Sequence, residues 1–280
     1  MPTIRKATPE DFDYVYPLFS GFQEPRPSKE EFQQLFVPRW ESDEHHVGFI
    51  LEENSEAVGY LGTLFSIREI NGQREKFCNL CTWIVNEEYR SEGLPLLFQV
   101  LRMKAVTVTN FTGNRVASIL TKFDFKVLDK TLKILLPYPI LGNDCELIFD
   151  YQRIPSYLDT HDRRIFEDHR DFKYSFVLLK AKDGISLICY KKVRRKRLPV
   201  LEVHYLSKRE MFIKHIRHVL SSLCIRTGTV GLMLGEHFLG EVSLPFSITI
   251  PQRQMRLFRS KTVSTEEMDT MYSELQILNI

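Results

Sequence analysis

The sequence predicts a mixed α/β fold, an α+β arrangement with helices packed on a mixed sheet, and three observations carry that reading. Apolar periodicity switches from 2 in runs such as Ala57 to Ile70 to 3.6 at Leu94, Leu97, Phe98 and Leu101. Thr8-Pro9-Glu10-Asp11 and Ser28-Lys29-Glu30-Glu31 both read as helix starts, with a hydroxyl to cap and acids in the first turn. Asn71-Gly72 readily takes positive φ and so reads as a hairpin between two strands. With 280 residues the chain has room for one large or two ordinary domains. A composition of 43% hydrophobic and 26% charged residues excludes disorder and disulfide-knot scaffolds. A net charge of +2 argues against whole-surface attraction to nucleic acid or membrane.

Taken in order, Thr3 to Ala7 fits a strand, and Phe12, Val15, Tyr16 and Phe19 recur at helical spacing to about Ser20. A second helix follows from Ser28 through about Phe36. His46 to Glu52, Ala57 to Ile70 and Glu75 to Val85 form an antiparallel meander. A helix then runs from Leu94 to near Lys104, followed by a strand from Ala105 to Asn110 and a helix from Asn114 to Lys122. Phe125 to Val127 and Leu132 to Leu136 read as two closing strands. Pro137 to Asp144 punctuates the chain and divides it into domains 1–140 and 141–280. In the second half Leu158 to Arg170 is a charged helix, with strands at Phe172 to Lys180, Ile185 to Val193 and Val200 to Leu206. A helix from Met211 to Leu223 and a strand from Thr229 to Leu234 complete an order that repeats the first half.

No apolar run reaches the roughly 18 residues of a membrane span, and Met1 to Lys6 lacks the apolar core of a secretory signal, so a cytoplasmic protein is expected. The five cysteines, Cys78, Cys81, Cys145, Cys189 and Cys224, are odd in number and widely spread, which suits reduced thiols. Cys78-x-x-Cys81 has no second pair or matching histidines for zinc, and His215-x-x-His218 has no third ligand, so no metal is expected.

The informative stretch is Trp83-Ile84-Val85-Asn86-Glu87-Glu88-Tyr89-Arg90-Ser91-Glu92-Gly93-Leu94-Pro95. A strand ends, a glycine-bearing loop follows and a helix begins, which points backbone N–H groups outward as an anion cradle. Gly93 lets a phosphate approach the backbone, and Pro95 loses nothing in a first helical turn. A capped helix with no ligand is the plainer reading of the same residues.

Order and spacing over residues 3–136 resemble the GNAT superfamily of acyl-CoA-dependent N-acyltransferases. The resemblance rests on Ile4 to Asp11, on Val58-Gly59-Tyr60-Leu61-Gly62, on Val85 followed by Tyr89-Arg90-Ser91-Glu92-Gly93, and on Leu120 to Phe125. It implies a tandem GNAT fold with a degenerate second half, and acetyl-CoA as co-substrate. It places the backbone of Ile84 and Val85 on the pantetheine arm, and Arg90, Ser91, Glu92, Gly93, Leu94 and Pro95 on the pyrophosphate. The family pattern wants a small residue where Pro95 stands. It also places a glutamate base at the position of Asn79 and a tyrosine acid near Ile119 or Leu120, so both expected proton-transfer groups are missing. Asp124 stands where the family has a glycine.

Cys78, Asn79 and Cys81 on the strand remain as catalytic candidates, a thiol serving as acid or nucleophile if its pKa were perturbed. Their plain alternative is ordinary core thiols. His45 and His46 titrate in the useful range but equally suit an exposed loop. Asn110 closes the strand beside the expected cleft and joins the cofactor-binding set. From residue 173 to 217 there are 13 basic and 3 acidic residues, centred on Lys191 to Arg197. This run suits a polyanion or a solvated hairpin tip, and its lack of interleaved aromatics argues against nucleic acid. Phe77 to Trp83 and Met271 to Leu275 also resemble acyltransferase-like proteins of bacterial surface-polysaccharide synthesis, which implies a small-molecule or glycan acceptor. The expected function is acyl transfer to an amine or hydroxyl. A non-enzymatic module of the same fold and a polyanion-binding protein are the competing classes.

Overall fold

The computed structural model describes residues 1–22, 26–137, 145–240, 242 and 244–278. The chain divides into two compact units. The first comprises Met1–Lys126, Leu257–Val263 and Tyr272–Ile280, and the second Val127–Arg256 and Ser264–Met271. The division thus falls earlier than residue 140, and two C-terminal segments return to the first unit. Most of the expected boundary, Tyr138 to Asp144, lies outside the described residues.

Unit 1 opens with β1 (Thr3–Ala7), antiparallel to β2 (Gly48–Glu53). Between them a helical stretch starts at Pro9, becomes α1 (Phe12–Val15) and ends in a 3-10 turn at Gly21. Thr8 and Asp11 close the expected capping box, and Ser28 with Glu31 does the same for α2 (Lys29–Gln33). These helices bury Phe12, Phe19, Phe32 and Phe36 against Tyr60, with ring centroids 4.7 Å apart for Phe19 and Phe32 and 5.3 Å for Phe36 and Tyr60. The sheet continues through β3 (Glu56–Ile70) and β4 (Gln73–Val85), joined by the Asn71-Gly72 turn with φ of 51° and 75°. A return through α3 (Gly93–Leu101) makes β5 (Val106–Thr112) parallel to β4. Leu96, Leu97 and Val100 form the buried stripe of α3. After α4 (Asn114–Leu120) the chain leaves the unit.

Unit 2 begins on β6 (Lys126–Leu135), one continuous strand where two were expected. The polar residues between the two expected strands are carried inside it, with Asp129 fully buried on a histidine partner. The sheet order is β12-β6-β11-β10-β9-β8-β7. In sequence order these are β7 (Cys145–Ile148), β8 (Ser175–Ala181), β9 (Gly184–Arg195), β10 (Leu198–Leu206), β11 (Leu232–Gly235) and β12 (Ser247–Arg259). Helix α5 (Thr160–His169) starts on Asp159, whose carboxylate accepts the Asp162 N–H. The expected helix from Met211 to Leu223 is two helices, α6 (Arg209–Lys214) and α7 (Ile216–Thr227), broken at His215 (φ −101°, ψ 14°). His215 leaves the helical conformation there and its Nε2 sits 3.3 Å from Asp183. β10 and β11 pair in parallel around α7, as β4 and β5 do around α3.

One face of this second sheet is apolar, with Leu201, Val203, Leu232 and Leu234 packed on Phe212 and Val219 of α6 and α7. The other carries a buried ionic group. Asp129 Oδ2 meets His237 Nδ1 at 2.7 Å while its Oδ1 accepts the His237 backbone N–H at 2.9 Å, and Arg256 Nη2 meets Glu202 at 3.0 Å. Burial works against an ionised Asp129, but the His237 hydrogen bond and charge prevail and hold its pKa below the usual carboxylate value. His204 is buried and driven down to about 4, so it is neutral. Among the described residues no helix is long and apolar enough to cross a membrane.

Candidate functional site

The site grows from an irregularity in β4. Pairing with β3 runs Tyr60↔Ile84 and then Gly62↔Cys81, so Thr82 and Trp83 stand opposite the single residue Leu61. Thr82 absorbs this bulge at φ 45°, an unusual value for a β-branched residue. Gly62 makes room for it, since a Cβ there would collide with Thr82 Oγ1 and come within 2.8 Å of Cys81 Sγ. Gly62 is the second glycine of the Val58 to Gly62 run, so that motif has a local steric reason.

On its other side β4 pairs with β5 from Lys76↔Val106 to Leu80↔Asn110, and the ladder ends where the bulge begins. Asn110 finishes it by donating from Nδ2 to the Leu80 carbonyl at 2.9 Å. Its Oδ1 is buried and has no hydrogen-bond partner among the described residues. Beyond this point Cys81 to Val85 run along an opening between the strands, with Thr82, Trp83, Ile84 and Val85 partly exposed. Backbone amides along such an opening are suited to an extended amide-bearing arm.

Asn79 lies just inside the fork. Thr109 Oγ1 donates to its Oδ1 at 3.0 Å, and its Nδ2 donates to Glu274 Oε2 in a buried hydrogen bond. Glu274 opens α8 (Glu274–Ile277), which Ser273 and Gln276 cap reciprocally. The segment is fixed on unit 1 by Tyr272, whose ring meets Trp40 at 5.2 Å and the buried Arg68 guanidinium at 4.7 Å. Arg68 lies in turn 3.9 Å over Phe77. Burial pushes the Glu274 carboxyl up to about 7, against the opposing pull of the Asn79 amide. A carboxyl therefore occupies the neighbourhood of Asn79 after all, delivered by a residue 195 positions away.

The thiol candidates behave differently. Cys78 and Cys81 are buried, and burial raises both pKa values, for Cys81 with help from the Glu274 charge. Neither forms a thiolate at neutral pH, which removes them as nucleophiles and leaves Asn79 as a hydrogen-bonding residue. His46 is buried, its pKa lowered by that burial, with Nε2 at 3.2 Å from Glu44. His45 and His46 line a separate pocket of about 170 Å³ with Trp40 and Phe65.

The expected phosphate loop takes another form. Glu87–Glu92 is wound into a 3-10 helix, and the Gly93 N–H donates to the Arg90 carbonyl instead of pointing at a ligand. Arg90 is exposed and pairs with Glu87 at 3.1 Å. With Glu87, Glu88 and Glu92 against one arginine, the charge here is the reverse of what a pyrophosphate attracts. Ser91 and Leu94 are exposed and Pro95 is half-buried. Gly93 is buried because α3 closes on β4: a Cβ there would stand 3.3 Å from Val85 Cγ2.

The basic run is also divided. Strand alternation places Lys191 and Arg195 on the face of Glu202, where Arg195 pairs at 3.7 Å, while Lys192 donates to the Thr227 carbonyl at 2.6 Å. Lys196 and Arg197 form the turn at φ 47° and 70°. His218 Nε2 meets Ser222 Oγ at 3.4 Å, so His215 and His218 serve different partners. Among the described residues no group of three or more His, Cys, Asp or Glu is placed to hold a metal ion.

Glu274 is the residue that sequence reasoning missed. The available signal was the Ser273-x-x-Gln276 capping box, which marks a helix start but not the burial of its first residue.

No protein-family model matches the sequence, and no curated protein matches it. Solved structures do match. A GCN5-related N-acetyltransferase from Kribbella flavida aligns with a TM-score of 0.60 at 13% identity, over 93% of this chain and 71% of its own. A GCN5-related N-acetyltransferase from Anabaena variabilis gives 0.56 at 10% identity over 93% and 73%. Eis1 from Mycobacterium abscessus gives 0.51 at 13% over the same shares, 93% and 73%. The chain has the fold of the GCN5-related N-acetyltransferases, as the sequence resemblance implied.

Proposed function

We propose that the chain is an acyl-CoA-dependent acyltransferase in which Glu274 takes the part of the general base. The observation that carries this reading is the opening of β4 from β5 beyond Leu80 and Asn110, beside a buried carboxyl poised near neutrality. The pantetheine arm would lie along Cys81 to Val85, meeting the Asn110 Oδ1 acceptor. The acceptor nitrogen or oxygen attacks the thioester carbonyl, its proton passes to Glu274, the C–S bond breaks, and the thiolate takes that proton back. Backbone N–H groups at Ile84 and Val85 would hold the oxyanion. Acetyl-CoA is the simplest acyl donor. The acceptor is an amine or hydroxyl, and a sugar of a polysaccharide precursor is the class that the sequence likeness suggests. Unit 2 reads as a second, degenerate copy, on the strength of its parallel β10–β11 pair around α7.

The acidic, wound segment Glu87–Glu92 favours a second reading, a module that keeps the fold without the transfer activity. Acetyl-CoA at about a hundredfold excess over its Kd stabilises a binder by about 2.7 kcal/mol, a shift of several degrees in Tm. Binding with turnover that E274Q abolishes supports the enzyme, and binding without turnover supports the module. An unmoved Tm at about 1 mM ligand removes the acyl-CoA reading altogether.

A further inference from the structure

At the opposite end of α3 the first unit carries a second concavity of about 480 Å³. Its wall is the turn after α3 (Arg102, Lys104), the start of β6 (Lys126), and the segment that ends β12 (Arg259, Lys261). Among the lining residues these five cations are accompanied by one acid, Asp124, and Glu75 accepts a hydrogen bond from Thr262 of the wall at 2.8 Å. None of the five makes an ion pair among the described residues, whereas Arg74 pairs with Glu41 and Lys76 with Asp43. Unpaired like charges around a concavity repel one another, and low-dielectric walls focus their field on whatever anion enters. The floor supplies neutral polar groups, with Thr107 Oγ1 and Ser260 Oγ 2.7 Å apart. At the rim Ala105 takes φ 51° and Asp124 φ 63°. Ala105 has no side-chain polar group to compensate its left-handed backbone, the kind of local strain that gathers at binding sites.

We propose that this cleft binds a small ligand bearing a chain of phosphates. Its volume is that of a small-molecule site, and its five cations against Asp124 and Glu75 leave a positive excess suited to a chain of phosphates. The cleft is distinct from the β4–β5 opening. Helix α3 has 9 residues, so its two ends lie about 13 Å apart. The β5 residues Val106 and Asn110, which mark the two places, are separated by a similar length of strand. The proposal is independent of acyl transfer and would survive its failure.

Calorimetric titration of the full chain with sodium tripolyphosphate tests it. One ligand per chain is expected, weakening steeply as salt rises from about 0.05 to about 0.2 M. Replacing Lys104 and Lys261 together by glutamine should raise Kd at least about tenfold, while the charge-keeping pair K104R and K261R binds as the parent does. R194Q with R197Q, on the other basic run, should leave Kd unchanged. ATP binding more tightly than tripolyphosphate identifies a nucleotide, and equal binding identifies the phosphate chain alone; both sustain the proposal. It is overturned if K104Q with K261Q leaves Kd unchanged, if several ligands bind per chain, or if a single-stranded oligonucleotide outcompetes both at equal phosphate. It is also overturned if K104Q with K261Q removes the acetyl-CoA thermal shift, because the cleft would then be part of the acyl-CoA seat.

Discussion

Replacing Glu274 by glutamine tests the placement of the C-terminal segment and the chemistry together. The amide keeps an acceptor for Asn79 Nδ2 and almost the same volume, so packing is preserved and only the titration is removed. The wild-type carboxyl stands at about 7 in the fold against 4.5 for an unperturbed glutamate. Because the folded value is the higher one, the contribution is fully present below 4.5 and is lost as pH climbs through about 7. The difference between the two values corresponds to about 3 kcal/mol, an upper figure for a fully buried group. Stability of the two proteins by urea unfolding should therefore agree near pH 4.5 and diverge with rising pH, the variant becoming the more stable by up to about 3 kcal/mol near pH 8. If Glu274 is the base, the same variant loses about a hundredfold or more in kcat while acetyl-CoA still raises its Tm. A variant that is less stable than the parent near pH 8, or a stability difference that does not change across the range, refutes the buried, raised carboxyl.

Three further outcomes follow from the geometry. Native protein should show no reaction with a thiol reagent such as dithionitrobenzoate, and all 5 cysteines should react once it is unfolded, because each is buried; C78A and C81A should keep any acyl-transfer activity the parent shows. Asp129→Ala strands the His237 ring and the Arg256 guanidinium without their carboxylate, and urea unfolding should show a loss of about 3–5 kcal/mol. Gly62→Val places methyl groups where Thr82 and Cys81 already sit, so it should destabilise the chain by about 1–3 kcal/mol and weaken any acetyl-CoA thermal shift, whereas Gly113→Ala, with open space around it, should do neither.

What was legible in the sequence is what local chemistry determines. The Asn71-Gly72 turn, the caps at Thr8 and Ser28 and the alternating apolar runs place β1 to β4 within a few residues of their observed ends, since each signal acts over a handful of positions. The β4 bulge was implicit in Gly62 but could be seen only once its cross-strand neighbour was known. Misreadings arose where a distant partner overrides a local preference. Asp129 is buried inside β6 on a hydrogen bond to His237, 108 residues away, and Arg256 of β12 meets both Asp129 and Glu202, partners that no local pattern announces. Glu87, Glu88 and Glu92 weakened the phosphate-loop reading in plain view, while Glu274 carried no mark of its burial at all.

The return of Leu257–Val263 and Tyr272–Ile280 to the first unit bears on the order in which the protein matures during synthesis. Residues 1–126 emerge from the ribosome first, yet the carboxyl that joins Asn79 and the tyrosine that covers Arg68 follow only after the second unit has been translated. The closing contacts of the first unit have a sequence separation near 200, so they carry a large loop-closure cost and form late. At about 5–20 residues per second, the half-built first unit spends roughly ten seconds or more with the seat of Glu274 uncovered. Completion of the candidate site is thereby tied to completion of the neighbouring fold, and a nascent chain arrested within the second unit would hold Asn79 without its carboxylate.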